Sequence, residues 1–550
     1  MEAGENEDVE EAIALCQESL AAVSSLHPGR YFSYMWLHEA YLSRYWILHD
    51  PADLSLAVEN FRFASRHSTQ GFPQRIMNAF KWTIAVEQHG HGSALEAYLT
   101  FFELLDAHLT TRSSATSRRE AAAAFHYARM LPADAASCAI RCDNLPHAVE
   151  LVEQGRGQQW LLASRLRTPV ESLESANPVL AHNYLELSTL ISNAAQSSAT
   201  ITDRTAADRA AIEYRRLTRQ WEAAVAEIRD LREFSWFLLP PLYADLQAAA
   251  RQGPVIILIA SEYSCSAIII PTSGDSHHVP LPSVTLADLT NLKDRFARAI
   301  RHTSTLGPKV PRNDLIVLLR TQCLEDLYIC SYTPTLSALV RSRQMMKKRV
   351  TPSFVMGQPG AGKGKPLKAV DSELELVHKL VPVTARHTNI SGDAATRAGA
   401  LKPLQQNTWV HLACHGKQDL KQPYNSHFVM RDKHLTLLDI MEKHMPQAEF
   451  TFLSACHTAV SDEETPDEAI HLTAGIQFSG FKSVVGTLWQ VDDFVTKHVV
   501  KAFYESMFKD LKDGGAMDCT KAAWALNRAM HTVKTTVPLE QRMVFVHIGV

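Results

Sequence analysis

The sequence lacks the features that would place a protein in a membrane or on a nucleic acid. None of its apolar runs approaches the roughly 18 residues that a membrane-spanning helix requires. The segment Met1 to Asp8 is acidic and has neither the basic region nor the apolar core of a signal peptide. A formal net charge of −4 gives no general attraction to nucleic acid or to anionic lipid. We therefore expect a cytoplasmic, intracellular protein whose partners are proteins or peptides, with no nucleic acid and no membrane among them.

Cysteines are also few for this length, and their number is odd. Nine cysteines in 550 residues do not form the dense, even set of a disulfide-stabilised domain, so we expect reduced thiols. Two residue spacings resemble those of metal-binding sites, but neither supports a metal site. His411 and His415 fall in a predicted strand, where residues four apart are about 13 Å distant, and Cys138 and Cys142 have no second pair nearby. We predict no metal and no cofactor.

A chain of 550 residues is too long for one hydrophobic core, so we expect several domains. From Glu10 to about Arg167, apolar residues recur at helical spacing. Similar helix openings carry alanines at 12, 57, 97 and 148, and the intervals of 45, 40 and 51 residues exceed those of a regular 34-residue tetratricopeptide (TPR) repeat. We therefore predict irregular TPR-like hairpins over residues 1–170. Their concave face would hold a protein partner, or the hairpins would only brace the next domain.

Two further segments follow the predicted repeats. Residues 171–250 are interpreted as a helical connector, because charges of both signs alternate from Asp203 to Glu233 as on a solvated helix face. Strands are predicted at Pro254 to Ala260 and at Ala267 to Pro271, and a helix at Thr285 to Ile300. Residues 251–550 are therefore assigned to one α/β domain.

The chemistry of that domain is concentrated in two short apolar runs, Trp409 to Gly416 and Phe450 to Thr458. Each run is rich in β-branched and aromatic residues and is typical of a buried strand in a parallel sheet. Chemistry in such sheets occurs at the carboxyl ends of the strands. If the two strands are neighbours, His415 and Cys456 lie side by side at one edge of the sheet.

This pair suits nucleophilic catalysis. A thiol needs a base to become the thiolate that attacks a carbonyl carbon, and His415 precedes Cys456 by 41 positions, near the roughly 50 of caspases. Gly416 has no side chain to block a substrate, so its N–H and that of Cys456 are candidates for an oxyanion hole. The simpler alternative is that each residue is structural, since a single cysteine at a strand end is usually a small buried hydrophobe.

Four ordered motifs carry a resemblance to a known family: His-Leu-Ala-Cys-His-Gly at 411–416, Leu-Ser-Ala-Cys-His-Thr-Ala at 453–459, Ile-His-Leu-Thr-Ala-Gly at 470–475 and Gly-Phe-Lys-Ser-Val-Val-Gly-Thr-Leu-Trp at 480–489. Together they resemble the CHAT domain, a caspase-like domain related to the separase protease domain and commonly joined to TPR repeats. The resemblance is strong over about 370–510 and weaker over 235–345. It implies a multidomain protein with all-α TPR-like repeats followed by a caspase-type three-layer α/β domain, and His415 and Cys456 as a catalytic dyad.

The resemblance also points to a substrate pocket. In caspase-like folds, the segment after the strand predicted at Ser483 to Leu488 borders the pocket for the side chain before the cut. Here that segment contains Trp489, Asp492 and Asp493. A carboxylate in such a pocket would favour arginine or lysine, since it can bind a guanidinium through two hydrogen bonds. The alternative is that the aspartates cap the following helix.

Two segments depart from a simple pattern. Only residues 320–330 stand where the family has a strand and a loop before the Ser331-Tyr332-Thr333-Pro334 motif, so the domain is shortened there by about a strand.

Gly357 to Lys363 matches G-x-x-x-x-G-K, but Gly364 replaces the Ser or Thr that binds magnesium, and Pro359 removes a backbone donor. A loop is favoured over a nucleotide site.

The predicted function is therefore a cysteine endopeptidase acting on proteins, with the helical repeats as an interaction or regulatory module. The alternative is a catalytically inactive scaffold in which both parts only bind proteins. A nucleotide-driven switch at Gly357 to Lys363 is the third reading.

Overall fold

The computed structural model describes most of the 550 residues. The residues outside this description are 1, 26, 28, 68–69, 112–125, 129, 157–169, 171–172, 199–203, 236, 307–327, 347–352, 358–369, 383–384, 420–424, 442, 444, 446, 455–471, 490, 492, 510 and 512–516. The chain forms two compact units. The first comprises 1–243, 258–268 and 276–279, and the second comprises 244–257, 269–275 and 280–550. The boundaries predicted at 170 and 250 stay predictions.

The described residues before 243 are helical, as the apolar spacing predicts. The helices are α1 Glu2–Ala22, α2 Gly29–Leu48, α3 Pro51–Arg66, α4 Phe72–Gln88, α5 Ala94–Thr110, α6 Leu131–Arg141, α7 Leu145–Gly155, α8 Pro178–Ser198 and α9 Arg204–Asp230. Successive helices pack as hairpins, among them α2 with α3, α4 with α5 and α6 with α7. Short turns separate some of these helices, as between α2 and α3. Asp50, for example, accepts a hydrogen bond from the N–H of Ala52 and caps α3, whose first residue is Pro51.

The connector is a helical hairpin with its own core. Helices α8 and α9 pack together through Tyr184, Leu217, Trp221 and Phe237, among other buried residues. The Trp221 Nε1–H donates to Ser188 Oγ at 3.0 Å. Outside this core, Arg216 pairs with Glu213 in solvent, which is the solvated charge pattern expected from the sequence.

The second unit contains most of the strands. The strands are β1 Val255–Ala260, β2 Cys265–Ile270, β3 His277–Pro280, β4 Ser353–Gly357, β5 Arg386–Ile390, β6 Trp409–Ala413, β7 Gly416–Lys417, β8 His427–Phe428, β9 Leu435–Thr436, β10 Phe450–Ser454, β11 Ser483–Thr487 and β12 Phe545–Gly549. The helices are α10 Tyr243–Leu246, α11 Leu286–Leu306, α12 Leu336–Met345, α13 Val370–Leu380, α14 Arg397–Gln406, α15 Leu437–Met441, α16 Leu472–Phe478, α17 Asp493–Met507, α18 Ala522–Thr532 and α19 Leu539–Arg542.

These strands form three sheets. Strands β1, β2 and β3 form one sheet. The main sheet has the order β12-β11-β10-β6-β4-β5, and only β12 runs antiparallel to its neighbour. A small antiparallel sheet, β7-β8-β9, follows β6 along the chain.

Helices cover both faces of the main sheet. The connection from β4 leads to β5, at one edge of the sheet. The next three connections, from β5 to β6, from β6 to β10 and from β10 to β11, all lead towards the opposite edge. Because such crossovers are right-handed, α13 lies on one face and α14, α15 and α16 lie on the opposite face. Helix α17 packs on α13 and completes the first layer. The predicted fold class, helices followed by a three-layer α/β domain, is confirmed.

No helix within the described ranges combines the length and apolar character that crossing a membrane requires.

Candidate active site

Strands β6 and β10 are neighbours, and their pairing register determines which residues lie at the carboxyl ends of the two strands. They pair in parallel from Trp409 opposite Phe450 to Ala413 opposite Ser454. His415 follows the last paired residue of β6 by two positions, and Cys456 follows that of β10 by two positions. The prediction that the two strands are adjacent and parallel is confirmed. Cys456 itself lies outside the described residues, so its side chain is not placed.

Contacts before and after His415 in the chain fix its backbone. Cys414 before it is buried, and the His415 carbonyl accepts a hydrogen bond from the N–H of Val429 at 2.9 Å. Gly416 begins β7 and is paired with Phe428 of β8. His415 is half-buried at the junction between the large and the small sheet. Its side chain therefore extends from a backbone that hydrogen bonds fix at the carboxyl edge of β6.

Beneath this edge, β6 is anchored by a buried polar cluster that the sequence did not reveal. His411 is fully buried, with Nε2 at 2.9 Å from Glu373 Oε1 of α13 and Nδ1 at 3.0 Å from the Tyr504 hydroxyl of α17. Burial and the nearby Glu373 carboxylate hold the pKa of Tyr504 well above its ordinary value, so its hydroxyl keeps the proton. Both imidazole nitrogens are engaged within the protein, which excludes His411 as a metal ligand paired with His415.

The residues of the predicted pocket are placed only in part. Trp489 is buried, and its Nε1–H donates to the Glu540 carbonyl at 3.2 Å. Its ring lies edge-on to Phe296 with centroids 5.6 Å apart. Asp493 is the first residue of α17, and Asp492 lies outside the described residues. The role of all three in a substrate pocket stays a prediction.

A serine and a histidine are also hydrogen-bonded in this unit, but the directions of their hydrogen bonds do not suit catalysis. Ser331 Oγ lies 2.7 Å from His547 Nδ1 and 2.8 Å from the Gly549 carbonyl, while His547 Nε2 lies 2.7 Å from Ser483 Oγ. The carbonyl only accepts, so the Ser331 hydroxyl donates to it and His547 Nδ1–H donates to Ser331. His547 therefore cannot take the Ser331 proton at Nδ1. Burial lowers its pKa to about 3, which makes it a poor base.

Two buried thiols elsewhere in the described residues are not activated. Burial raises the pKa of both Cys138 and Cys519 to about 12, so neither forms appreciable thiolate at neutral pH. Among the residues placed by the structure, no three His, Cys, Asp or Glu side chains come together as a metal site would require. Strand β4 ends at Gly357, beside Leu412 of β6. The rest of the glycine-rich segment, and the shortened segment at 320–327, lie outside the described residues.

Comparison with known proteins agrees with the resemblance seen in the sequence. Residues 317–538 match the CHAT domain family, and no curated protein matches the chain. Among solved structures, the Arg-specific cysteine proteinase gingipain R aligns with a TM-score of 0.28 and 9% sequence identity. That alignment covers 39% of this chain and 51% of the gingipain chain, so this protein spans about half the length of that structure.

Proposed function

We propose that the protein is a cysteine endopeptidase in which His415 is the general base and Cys456 the nucleophile. The observation that carries the proposal is the in-register parallel pairing of β6 and β10. Neighbouring strands lie about 4.8 Å apart, and this pairing brings the carboxyl ends of β6 and β10, at Ala413 and Ser454, together at one edge of the sheet. The CHAT domain match over 317–538 supports the same assignment.

The topology of the sheet supports this location. Strands β4 and β6 are adjacent, but their onward connections run towards opposite edges of the sheet. Ligands of open α/β sheets bind in the crevice at the carboxyl ends of such a strand pair. His415 follows the carboxyl end of β6, so an extended peptide crossing this crevice would pass the proposed dyad.

The proposed reaction follows from these groups. His415 takes the proton from Cys456 Sγ, and the thiolate attacks the carbonyl carbon of the peptide bond. The N–H groups of Gly416 and Cys456 stabilise the negative oxygen of the tetrahedral intermediate. The C–N bond then breaks, and His415 gives the proton to the leaving amine. Water attacks the thioester, releases the second product and restores the thiol.

An electrophilic peptide probe tests whether Cys456 is activated. A peptidyl chloromethyl ketone is expected to label Cys456 first, because an accessible thiolate reacts before protonated or buried thiols. Peptide mass spectrometry would locate the label. Cys142, which is exposed, serves as the reference thiol. Labelling of Cys142 at the same rate, or none at Cys456 in the folded protein, would instead favour the catalytically inactive scaffold.

For the helical region, we propose that α2 and α4 together present a surface for a protein partner. Phe32, Trp36 and Trp46 of α2 are 51%, 59% and 59% exposed. They share one face of the helix, since their spacing is close to whole turns. Met77 and Ile84 of α4 are also exposed. We refer to these five residues as the aromatic face.

Side-chain contacts join α2 and α4, the two helices that carry the aromatic face. Lys81 of α4 contacts Glu39 of α2 at 2.6 Å, and beneath them His38 Nε2 lies 3.0 Å from Asn78 Oδ1. Large exposed aromatic side chains are the residues that most often dominate binding at protein interfaces. This surface is where TPR-like repeats would hold a substrate or a regulator.

Removing two aromatic side chains tests the aromatic face. The full-length protein is expected to select peptides with apolar residues at helical spacing from a displayed library. Replacing both Trp36 and Trp46 by alanine should weaken this binding by about 30-fold or more, as the loss of an interface hot spot costs at least about 2 kcal/mol. Leu242→Ala removes a side chain that is 64% exposed elsewhere and should leave binding unchanged. Equal loss in the two variants would refute this surface.

A further inference from the structure

The small sheet β7-β8-β9 has one buried and one exposed face. Phe428 and Leu435 are fully buried and pair with each other across β8 and β9. Lys417 and His427 face each other across β7 and β8, and His434 immediately precedes β9. His434 and Lys417 are exposed, and His427 is half-buried. Because side chains alternate along strands, the two histidines share the outer face of this sheet.

The two imidazoles are in direct contact. His427 pairs with Thr436, so His434 stands two residues back along the neighbouring strand, at the diagonal position on the same face. The ring centroids lie 3.9 Å apart, and the ring planes are tilted by 23°. Two imidazoles from different segments thus already occupy one small volume, held there by the pairing of β8 with β9.

One of the two rings has its lone pair oriented by the backbone. His427 Nδ1 lies 2.7 Å from the Asn425 carbonyl. A carbonyl only accepts hydrogen bonds, so Nδ1 carries the proton and donates it. Nε2 therefore carries the lone pair. A histidine that donates Nδ1–H to a backbone carbonyl and offers Nε2 has the arrangement commonly found for metal-binding histidines.

From this geometry we propose that His427 and His434 form a binding site for a divalent transition-metal ion of the class that prefers imidazole, such as Zn²⁺, Ni²⁺ or Cu²⁺. Imidazole nitrogen suits these ions, whereas Mg²⁺ and Ca²⁺ prefer oxygen ligands. A metal lies in the plane of each ring that binds it, so the stacked rings must open. His434 is exposed and its χ2 torsion is soft, so rotation of its ring brings a nitrogen towards His427 Nε2.

The site would be reversible rather than structural. No third His, Cys, Asp or Glu side chain joins these two histidines among the described residues, so water must fill the remaining coordination positions. The Lys417 ammonium opposite His427 also opposes the charge of the ion. Structural zinc sites by contrast have four protein ligands. The inference is independent of the proposed peptidase activity, although the pair lies on the same small sheet as Gly416.

Calorimetric titration of the full-length protein with NiCl₂ tests the site. The wild type is expected to bind one more Ni²⁺ per chain than either His427→Ala or His434→Ala. His182→Ala is the matched control, because His182 is 83% exposed on α8 and its ion-pair partner is Glu186 rather than a histidine. Circular dichroism would show that the variants keep the fold. Equal stoichiometry and affinity in the wild type and both site variants would overturn the proposal.

Chemical footprinting locates the ion. Diethyl pyrocarbonate modifies unprotonated, unligated imidazole nitrogens, and trypsin places His427 in the peptide 422–431 and His434 in the peptide 434–443. With Ni²⁺ present, both peptides should be modified several-fold more slowly, and the difference should vanish with excess EDTA. His182 in the same digest should react at an unchanged rate. Protection of neither peptide, or of all histidine peptides alike, would overturn the site.

Discussion

A peptide library incubated with this protein is expected to be cleaved after arginine or lysine, and Cys456→Ala is expected to abolish that cleavage. Without Sγ there is no nucleophile, and loss of one member of a catalytic unit removes most of its effect, so kcat/KM should fall by at least about 10³-fold. His415→Ala should cause nearly the same loss, because the thiol then has no base. The double variant should be no worse than the more damaging single one.

Two controls separate this result from unfolding and from contamination. Cys142→Ala changes an exposed thiol far from the proposed dyad in sequence and should retain full activity. Thermal unfolding should show that Cys456→Ala is as stable as the wild type. Cleavage that survives Cys456→Ala would refute the mechanism. Cleavage that depends on Cys456 but follows acidic or apolar residues would refute only the specificity proposed for Asp492 and Asp493.

Glu373→Ala is expected to destabilise the second unit more than an ordinary surface substitution would. Glu373 and His411 are 2% and 0% exposed, and Nε2 of the histidine lies 2.9 Å from the carboxylate. Removing the carboxylate leaves the buried Nε2 of His411 without its hydrogen-bond partner, which costs about 1–3 kcal/mol. The free energy of unfolding, measured by urea titration, should therefore fall by that amount.

Two variants of the same helix serve as controls. Glu373→Gln keeps an oxygen acceptor at the same position and should cost less than Glu373→Ala. Glu375→Ala removes an exposed glutamate two residues along α13 and should change stability by no more than about 0.5 kcal/mol. If Glu373→Ala changed the free energy of unfolding as little as Glu375→Ala, the hydrogen bond between Glu373 and His411 would not stabilise the fold.

The strands that carry the proposed dyad were predictable because burial on both faces leaves an uninterrupted apolar run. Trp409 to Ala413 and Phe450 to Ser454 are short, bounded and entirely or almost entirely buried. Strand β5, Arg386–Ile390, at the edge of the same sheet, was not predicted, since an edge strand with polar residues has no such run. The two-residue strands β7, β8 and β9 are too short for any periodicity, so the small sheet and its histidine pair emerged only from the structure.

The polar anchor of β6 was hidden for a different reason. Glu373 lies in an amphipathic helix whose other acidic residues face solvent, and Tyr504 is 93 positions from His411. Nothing local in the sequence marks these side chains as partners, because only the packing of α13 and α17 on the sheet brings them together. The spacing of His411 and His415 resembles a metal site that the sequence does not support, and the structure gives His411 other partners.

The segment that crosses beside β12 affects how the protein meets other copies of itself. Tyr332 forms a parallel bridge with Ile548, donating its N–H to the His547 carbonyl and accepting from Gly549, both at 2.9 Å. The outer edge of β12 is thereby occupied. An unpaired sheet edge is a template for adding a strand from a second molecule. At the other end of the main sheet, no strand among the described residues pairs with the outer edge of β5, which begins with the exposed cation Arg386. A charged side chain on a sheet edge is one of the features that discourage pairing with another chain, so Arg386 disfavours aggregation through this edge.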